Sequence, residues 1–194
     1  MNYSTEFQKL INEPAKLKQL LEGCSFTGTF EAWQKRKTFI SKAIDKNGSF
    51  LDVGCGNGFL LRCLQEWSAY NIDPFGIDIN ENYITQAKQL FTSCSDHFED
   101  LDIASIEAIY KVLPASYDFV YYSRDWTAGD IGIRDKDLIE KLIKLTKSGG
   151  RTIVGFYGED QVRNQKSITE LQNMGVNFKE VLVNPAGTNL VAWV

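Results

Sequence analysis

This sequence predicts an α/β fold with a doubly wound, mostly parallel sheet, and three observations predict it. From residue 49 onward, short apolar runs alternate with helical segments. The first run leads straight into a turn with glycines at 54, 56 and 58, where sheets of this kind receive a nucleotide. The last two runs are joined only by residues 184–188, too few for a crossover helix, so the final strand runs antiparallel to the others.

The elements follow in order. Phe7, Leu10, Ile11, Leu17, Leu20 and Leu21 recur near helical spacing over residues 4–22, with Pro14 dividing the stretch and Gly23 as its stop. A small-residue loop over 25–29 precedes a helix over 30–44, which ends before the Asn47-Gly48 turn. Strands are expected at 49–53, 75–79, 96–98, 117–122, 151–156, 178–183 and 189–194. Helices are expected at 59–67, 81–91, 103–112, 135–147 and 167–174, with Asn80 capping the second of these. The seven strands form one sheet in a single domain, with 49–194 as its core and 1–48 as a helical cap or lid.

Composition narrows the function. A hydrophobic fraction of 43% over 194 residues is enough to build one buried core. The net charge of -4 argues against a broad basic surface for nucleic acid. No apolar run approaches the roughly 20 residues that cross a bilayer. The start of the chain is polar and lacks a signal-peptide core, so the expected location is the cytoplasm. Cys24, Cys55, Cys63 and Cys94 form no CxxC pair and no zinc spacing, and are expected as reduced thiols; no metal site is expected.

The chemistry is concentrated in FLDVGCGNGFLL, residues 50–61. Gly54, Gly56 and Gly58 allow the backbone to approach a ligand closely. Their GxGxG spacing differs from the GxGxxG of pyrophosphate sites, and Asp52 stands two residues before the first glycine. A carboxylate there suits a ligand with a positive group, such as an amino-acid ammonium. In FGIDIN, residues 75–80, Asp78 ends the second strand, where a carboxylate can accept bonds from both ribose hydroxyls, and Ile79 can cover an adenine face.

These residues closely resemble the class I, Rossmann-like family of S-adenosylmethionine-dependent methyltransferases. LDVGCGNG is near that family's first motif and GIDIN near its second, and FEDL at 98–101 and YDFVYY at 117–122 continue the likeness. The resemblance implies an enzyme using S-adenosyl-L-methionine. It implies that Asp52, Gly54, Cys55 and Gly56 border the methionine part, Asp78 and Ile79 the ribose and adenine, and Asp100 and Leu101 the adenine edge, with Glu99 and Asp102 as rivals of Asp100. Cys55 itself reads as a space-filler.

The acceptor is expected beyond the carboxyl ends of the strands. Ser123, Arg124, Asp125 and Trp126 follow the fourth strand as a polar and aromatic loop. Ser123 belongs with the cofactor contacts. Asp125 is the candidate general base, and Arg124 and Trp126, with Trp33 from the cap, are candidate acceptor contacts. The loop lacks the (Asn/Asp)-Pro-Pro-Tyr signature of enzymes that methylate amide or base nitrogens. A small-molecule acceptor is expected, with no nucleic-acid or membrane partner; the oligomeric state is not legible. Two other readings share the first motif: an aminopropyl transferase that uses decarboxylated cofactor, and a non-catalytic module that binds S-adenosylmethionine or S-adenosylhomocysteine.

Overall fold

A computed structural model describes residues 2–125, 131–157 and 160–194, with 106, 107, 124 and 125 in backbone only. Its strands are β1 (Gly48–Val53), β2 (Ile72–Asp78), β3 (Phe98–Asp100), β4 (Tyr117–Asp125), β5 (Thr146–Tyr157), β6 (Glu180–Val183) and β7 (Leu190–Trp193). They form one sheet in the order β3-β2-β1-β4-β5-β7-β6. The contacts among β1 to β5 are parallel, and β7 runs antiparallel to both β5 and β6, as the short 184–188 connection requires.

Strand alternation divides the core between the two faces of the sheet. Phe50, Phe119 and Ile153 join one cluster with Phe7, Trp33 and Phe59. Their neighbours Leu51 and Val120 join the other with Ile77 and Leu142. A third cluster, built on Val154, Phe156, Ile168 and Leu190, fills the β5–β7 end. Burying each such side chain contributes about 1.5–3 kcal/mol. Asp52 shares parity with Phe50, so its carboxyl points to the face covered by the N-terminal helices.

Those helices are α1 (Thr5–Ile11), α2 (Pro14–Glu22) and α3 (Phe30–Lys37). Pro14 occupies the first turn of α2, where its missing N–H costs nothing. Phe7 and Phe30 pack edge-on at 5.8 Å, and both lie against Phe59. Phe59 opens α4 (Phe59–Trp67). The chain start is held to α4 as well: Ser4 donates from its N–H and hydroxyl to Glu66 at 2.8 and 2.6 Å, and Arg62 pairs with Glu66 at 2.7 Å. The remaining helices are α5 (Glu81–Leu90), α6 (Ile106–Val112), α7 (Ile133–Lys144) and α8 (Gln161–Asn173). Among the described residues, no helix is long and apolar enough to cross a membrane.

Several boundaries differ from the sequence reading. The helix expected over 30–44 stops at Lys37 and continues as a 3₁₀ segment, Thr38–Ala43. The third strand lies at 98–100 and not at 96–98, because 92–97 forms 3₁₀ turns and Phe98 is the first residue to pair, with Gly76. β4 continues through Asp125, because 123–125 pair with 155–157. The expected 135–147 helix ends at Lys144, since β5 begins at Thr146 and then bulges: Tyr117 pairs with Thr146 but Phe119 pairs with Arg151.

Asp118 and His97 prove to be packing residues. Asp118 accepts from Ser49 N–H and Oγ at 3.0 Å and meets Lys147 at 2.8 Å and Lys46 at 3.3 Å. Partial burial works against its charge, but these donors outweigh it and hold its pKa well below the usual range. His97 stacks on Phe75 at 3.9 Å with Nδ1 at 3.1 Å from the Pro74 carbonyl.

Candidate functional site

The glycine turn connects β1 to α4, and three of its residues adopt left-handed backbone angles: Gly54 at φ 81°, Gly56 at 55° and Gly58 at 76°. The first two have different surroundings. A Cβ on Gly54 would meet nothing within 4 Å, so this glycine faces open space. A Cβ on Gly56 would overlap the Gly23 carbonyl oxygen at the end of α2. The close approach at Gly56 is therefore to the cap helix, and both Gly56 and Gly23 line the cavity described below.

Asn57 strengthens that junction. It is fully buried, and its amide donates to the carbonyls of Leu20 at 3.2 Å and Gln19 at 3.4 Å, while its oxygen accepts from Phe59 N–H at 3.3 Å. The end of α2 is thus tied to the turn by backbone packing and by this one side chain.

Above the turn lies a cavity of about 480 Å³. Its floor comes from the sheet: Asp52, Tyr121, Ser123 and Tyr157 line it. Register brings them together, since Asp52 pairs with Tyr121, Ser123 with Gly155, and Asp125 with Tyr157. The Tyr121 and Tyr157 hydroxyls are hydrogen-bonded to each other. The roof comes from the cap, through Cys24, Phe26, Trp33 and Lys37. Trp33 is 2% exposed, stacks on Phe59 at 6.3 Å and lies 5.4 Å from Phe26. It is part of the aromatic core and also borders the cavity.

The electrostatics of the cavity are unusual. Asp52 is 3% exposed; burial, with Asp78 nearby, raises its pKa to about 8, against the opposing pull of Lys37. Lys37 is 8% exposed, and burial lowers its pKa to about 7, although Cys24 and Asp52 both favour its charge. Its Nζ lies 3.1 Å from the Tyr157 ring centroid and 5.3 Å from that of Trp33. Burial pushes the Cys24 thiol up to about 12 and the Cys55 thiol well above its usual value, so neither is poised as a nucleophile. All four cysteines are free.

Asp78 ends β2 with both carboxylate oxygens engaged: Oδ2 accepts from Gly56 N–H at 2.8 Å and Oδ1 from Asn80 N–H at 2.9 Å. Each oxygen keeps a second lone pair for a ligand. Asp78 therefore fastens the glycine turn to β2 in addition to any ligand role. Asp78→Ala should lower the stability of the ligand-free protein by about 1–3 kcal/mol, read by thermal unfolding. An unchanged melting temperature would show these two bonds to be dispensable.

The other expected residues are distributed around this frame. Ile79 is 79% exposed just past β2. Asp100 ends β3 directly opposite Asp78 and is exposed. Its rivals are engaged elsewhere, Glu99 with Lys88 at 3.5 Å and Asp102 with Ala104 N–H at 2.8 Å. The Leu101 N–H donates to the Asp78 carbonyl at 3.1 Å, so its N–H is engaged and its side chain and carbonyl are what it offers a ligand. Arg124 and Asp125 lie on β4 and not in a loop, because that strand is longer than expected. Trp126 lies outside the described residues.

Sequence reasoning missed Gly23, Cys24, Lys37, Asn57 and Tyr157. Lys37 carried one usable signal: with Phe30 and Trp33 it falls at i, i+3, i+7 on the apolar face of α3.

A family model described as a methyltransferase domain matches residues 44–185. No match was found among curated proteins. Among solved structures, an S-adenosylmethionine-dependent methyltransferase from Aquifex aeolicus is 14% identical with a TM-score of 0.59, over 93% of this chain and 97% of that one. A TehB-like S-adenosylmethionine-dependent methyltransferase from Corynebacterium glutamicum is 16% identical with a TM-score of 0.58, over 96% and 97%. The N-methyltransferase NodS from Bradyrhizobium japonicum, solved with S-adenosylhomocysteine, is 14% identical with a TM-score of 0.56, over 98% and 91%. At these identities the likeness is one of fold.

Proposed function

The chain belongs to the methyltransferase domain family, and from that premise we propose that it transfers the methyl group of S-adenosylmethionine directly, in line, to a small-molecule acceptor. The cavity between the glycine turn and the cap carries this reading. Its parts fit the cofactor. Gly54 leaves an opening that any Cβ would narrow, and Asp52 offers a buried carboxyl that no described residue hydrogen-bonds.

In this reading Asp52 receives the ammonium of the cofactor. Gly54, Cys55 and Gly56 form the wall beside its methionine part. Asp78 takes the ribose hydroxyls, Ile79 an adenine face, and Asp100 and Leu101 the adenine edge. The bound sulfonium supplies an activated methyl group with a good leaving group. The protein's task is then to hold the acceptor in line and keep water out. Cap residues 23–26 and Trp33 exclude water from above. Ser123 stays with the cofactor contacts, and beside it the Tyr121–Tyr157 pair completes the floor of the cavity. Asp125, Arg124 and Trp126 remain the proposed acceptor-handling residues, with Asp125 as a base only for acceptors that keep their proton at neutral pH.

Two features favour a small acceptor. The volume of about 480 Å³ lies toward the low end for ligand pockets. The net charge of -4 gives no attraction toward nucleic acid. The test is incubation with methyl-labelled S-adenosylmethionine and a fractionated metabolite extract. Label should appear in a low-mass fraction. Label confined to protein or RNA would overturn the small-acceptor reading.

A further inference from the structure

The charges that line the cavity are segregated. Among the described residues its two carboxylates, Asp52 and Asp78, stand on β1 and β2, and its two cations, Arg36 and Lys37, stand at the end of α3. Lys37 Nζ lies over the ring of Tyr157, the last residue of β5. In the sheet β5 is two strands from β1, about 10 Å away at ordinary strand spacing. On the cofactor reading above, Asp52, Asp78 and Asp100 draw the cofactor over β1, β2 and β3. The end of the cavity over β5 is then left for the acceptor.

That end is suited to an anion. Lys37 is 8% exposed and, among the described residues, makes no hydrogen bond or ion pair; only the Tyr157 and Trp33 rings face its ammonium. A buried cation without a counterion is costly, and an anionic ligand offsets that cost. Burial lowers its pKa and nearby Arg36 lowers it further; an anion beside the two cations opposes both effects. Thr188 and Asn189 line the cavity as well. Leu190 pairs with Phe156 across β7 and β5, which brings Asn189 beside Tyr157. Asn189 is 6% exposed, and its side-chain amide has no hydrogen-bond partner among the described residues. The turn that carries it is fixed: Asn184 Oδ1 accepts from the N–H groups of Thr188 at 2.8 Å and Asn189 at 3.1 Å, and Asn164 donates from α8 to the Thr188 carbonyl at 3.0 Å. An amide on such a turn can donate to a ligand with little further loss of conformational freedom.

We propose that Lys37 and Asn189, with Arg36, form a subsite for an anionic group of the acceptor, so that the acceptor is a small carboxylate or phosphate ester. This rests on the cofactor reading above and names the class of acceptor, which that reading leaves open.

The test divides a low-mass metabolite extract on an anion exchanger at neutral pH. The retained and unretained fractions are each incubated with the wild-type protein and methyl-labelled S-adenosylmethionine. Labelled product should come from the retained fraction. Phosphatase treatment beforehand identifies the anion: activity that survives belongs to a carboxylate, and activity that is lost belongs to a phosphate ester. Lys37→Met should lower labelling of the retained fraction by roughly tenfold or more, as expected when a charged hydrogen-bonding partner is removed. Its affinity for S-adenosylhomocysteine, read by calorimetry, should stay close to wild type. Label from the unretained fraction alone would overturn the subsite. So would a matching loss of S-adenosylhomocysteine affinity in Lys37→Met, which would assign the lysine to the cofactor. The comparison of fractions needs no variant, so a Lys37→Met protein that fails to fold leaves the proposal testable. Failure of the wild-type protein to bind S-adenosylhomocysteine at all would overturn the cofactor reading itself.

Discussion

Asp52→Asn should make the protein more stable at neutral pH while removing most of its affinity for S-adenosylhomocysteine. The stability half follows from linkage. The folded pKa of Asp52, about 8, lies above the 3.8 of an aspartate in an unfolded chain. Between those values the folded protein keeps a proton that the unfolded chain has lost. Folding stability therefore falls as pH rises through that window. At pH 7 most of the penalty is present, and at 1.36 kcal/mol per pKa unit it amounts to a few kcal/mol. Asparagine cannot ionise and keeps the shape, so it escapes the penalty. The gain in melting temperature should be several degrees at pH 7 and vanish near pH 4. The affinity half follows from the loss of a carboxyl that gives up its proton on binding to become the ammonium's charged partner, about 1.5–3 kcal/mol, or roughly ten- to a hundredfold. Thermal unfolding across pH and calorimetry check the two halves separately. A variant less stable than wild type at pH 7 would mean that Asp52 has a partner that stabilises its charge. Unchanged affinity would remove it from the ammonium site.

On the proposed reading such a residue is kept for function at the expense of the fold, and that is why it stood out in the sequence. A carboxylate two positions before a glycine turn has no structural reason to stand on a buried strand. The same logic exposed Asp78, although only half of its role. Its bonds to Gly56 and Asn80 depend on where two backbone N–H groups point, which spacing does not encode. Lys37 stayed hidden because a lysine in the last turn of a helix is normally a solvated, dipole-matched residue. Its burial is set by the docking of α3 over Tyr157. Tyr157 was hidden in turn because β5 runs one residue past the carboxyl end of its apolar run at 151–156. Trp33 looked like a ligand contact because tryptophans in a short cap are conspicuous. The aromatic cluster of Phe7, Phe26, Phe30 and Phe59 also takes it into the core, while it still borders the cavity. The mostly parallel sheet and the antiparallel β7 needed only the pattern of strands and connection lengths, which is local information. A cap over residues 1–48 was expected, but which of its side chains reach the cavity depends on packing between segments distant in sequence, and that was not legible.

The sharpest separation of roof from floor should come from alanine at two glycines of the turn. Both Gly54 and Gly56 have positive φ, so both variants incur the same kind of backbone strain, about 1–2 kcal/mol. Their side-chain surroundings then divide them. At Gly56 the new methyl meets the Gly23 carbonyl, and the end of α2 must shift. The shift pulls on Asn57, whose amide bonds Gln19 and Leu20. Gly56→Ala should therefore cost about 2–4 kcal/mol in total, adding displaced packing to the strain. At roughly 2–4 °C per kcal/mol for a chain of this size, the melting temperature should drop by about 5–15 °C. Affinity should fall as a consequence, because the roof is carried by the displaced helix end. At Gly54 the methyl meets no protein atom within 4 Å and enters the cavity. Gly54→Ala should lose only the strain energy in stability yet lose S-adenosylhomocysteine binding outright. The diagnostic is the order of effects: larger stability loss at Gly56, larger affinity loss per unit of stability at Gly54. Retained binding in a folded Gly54→Ala protein would mean that the ligand does not lie against this wall of the turn. Equal stability losses in the two variants would mean that the Gly23–Gly56 contact yields easily and the roof is only loosely seated.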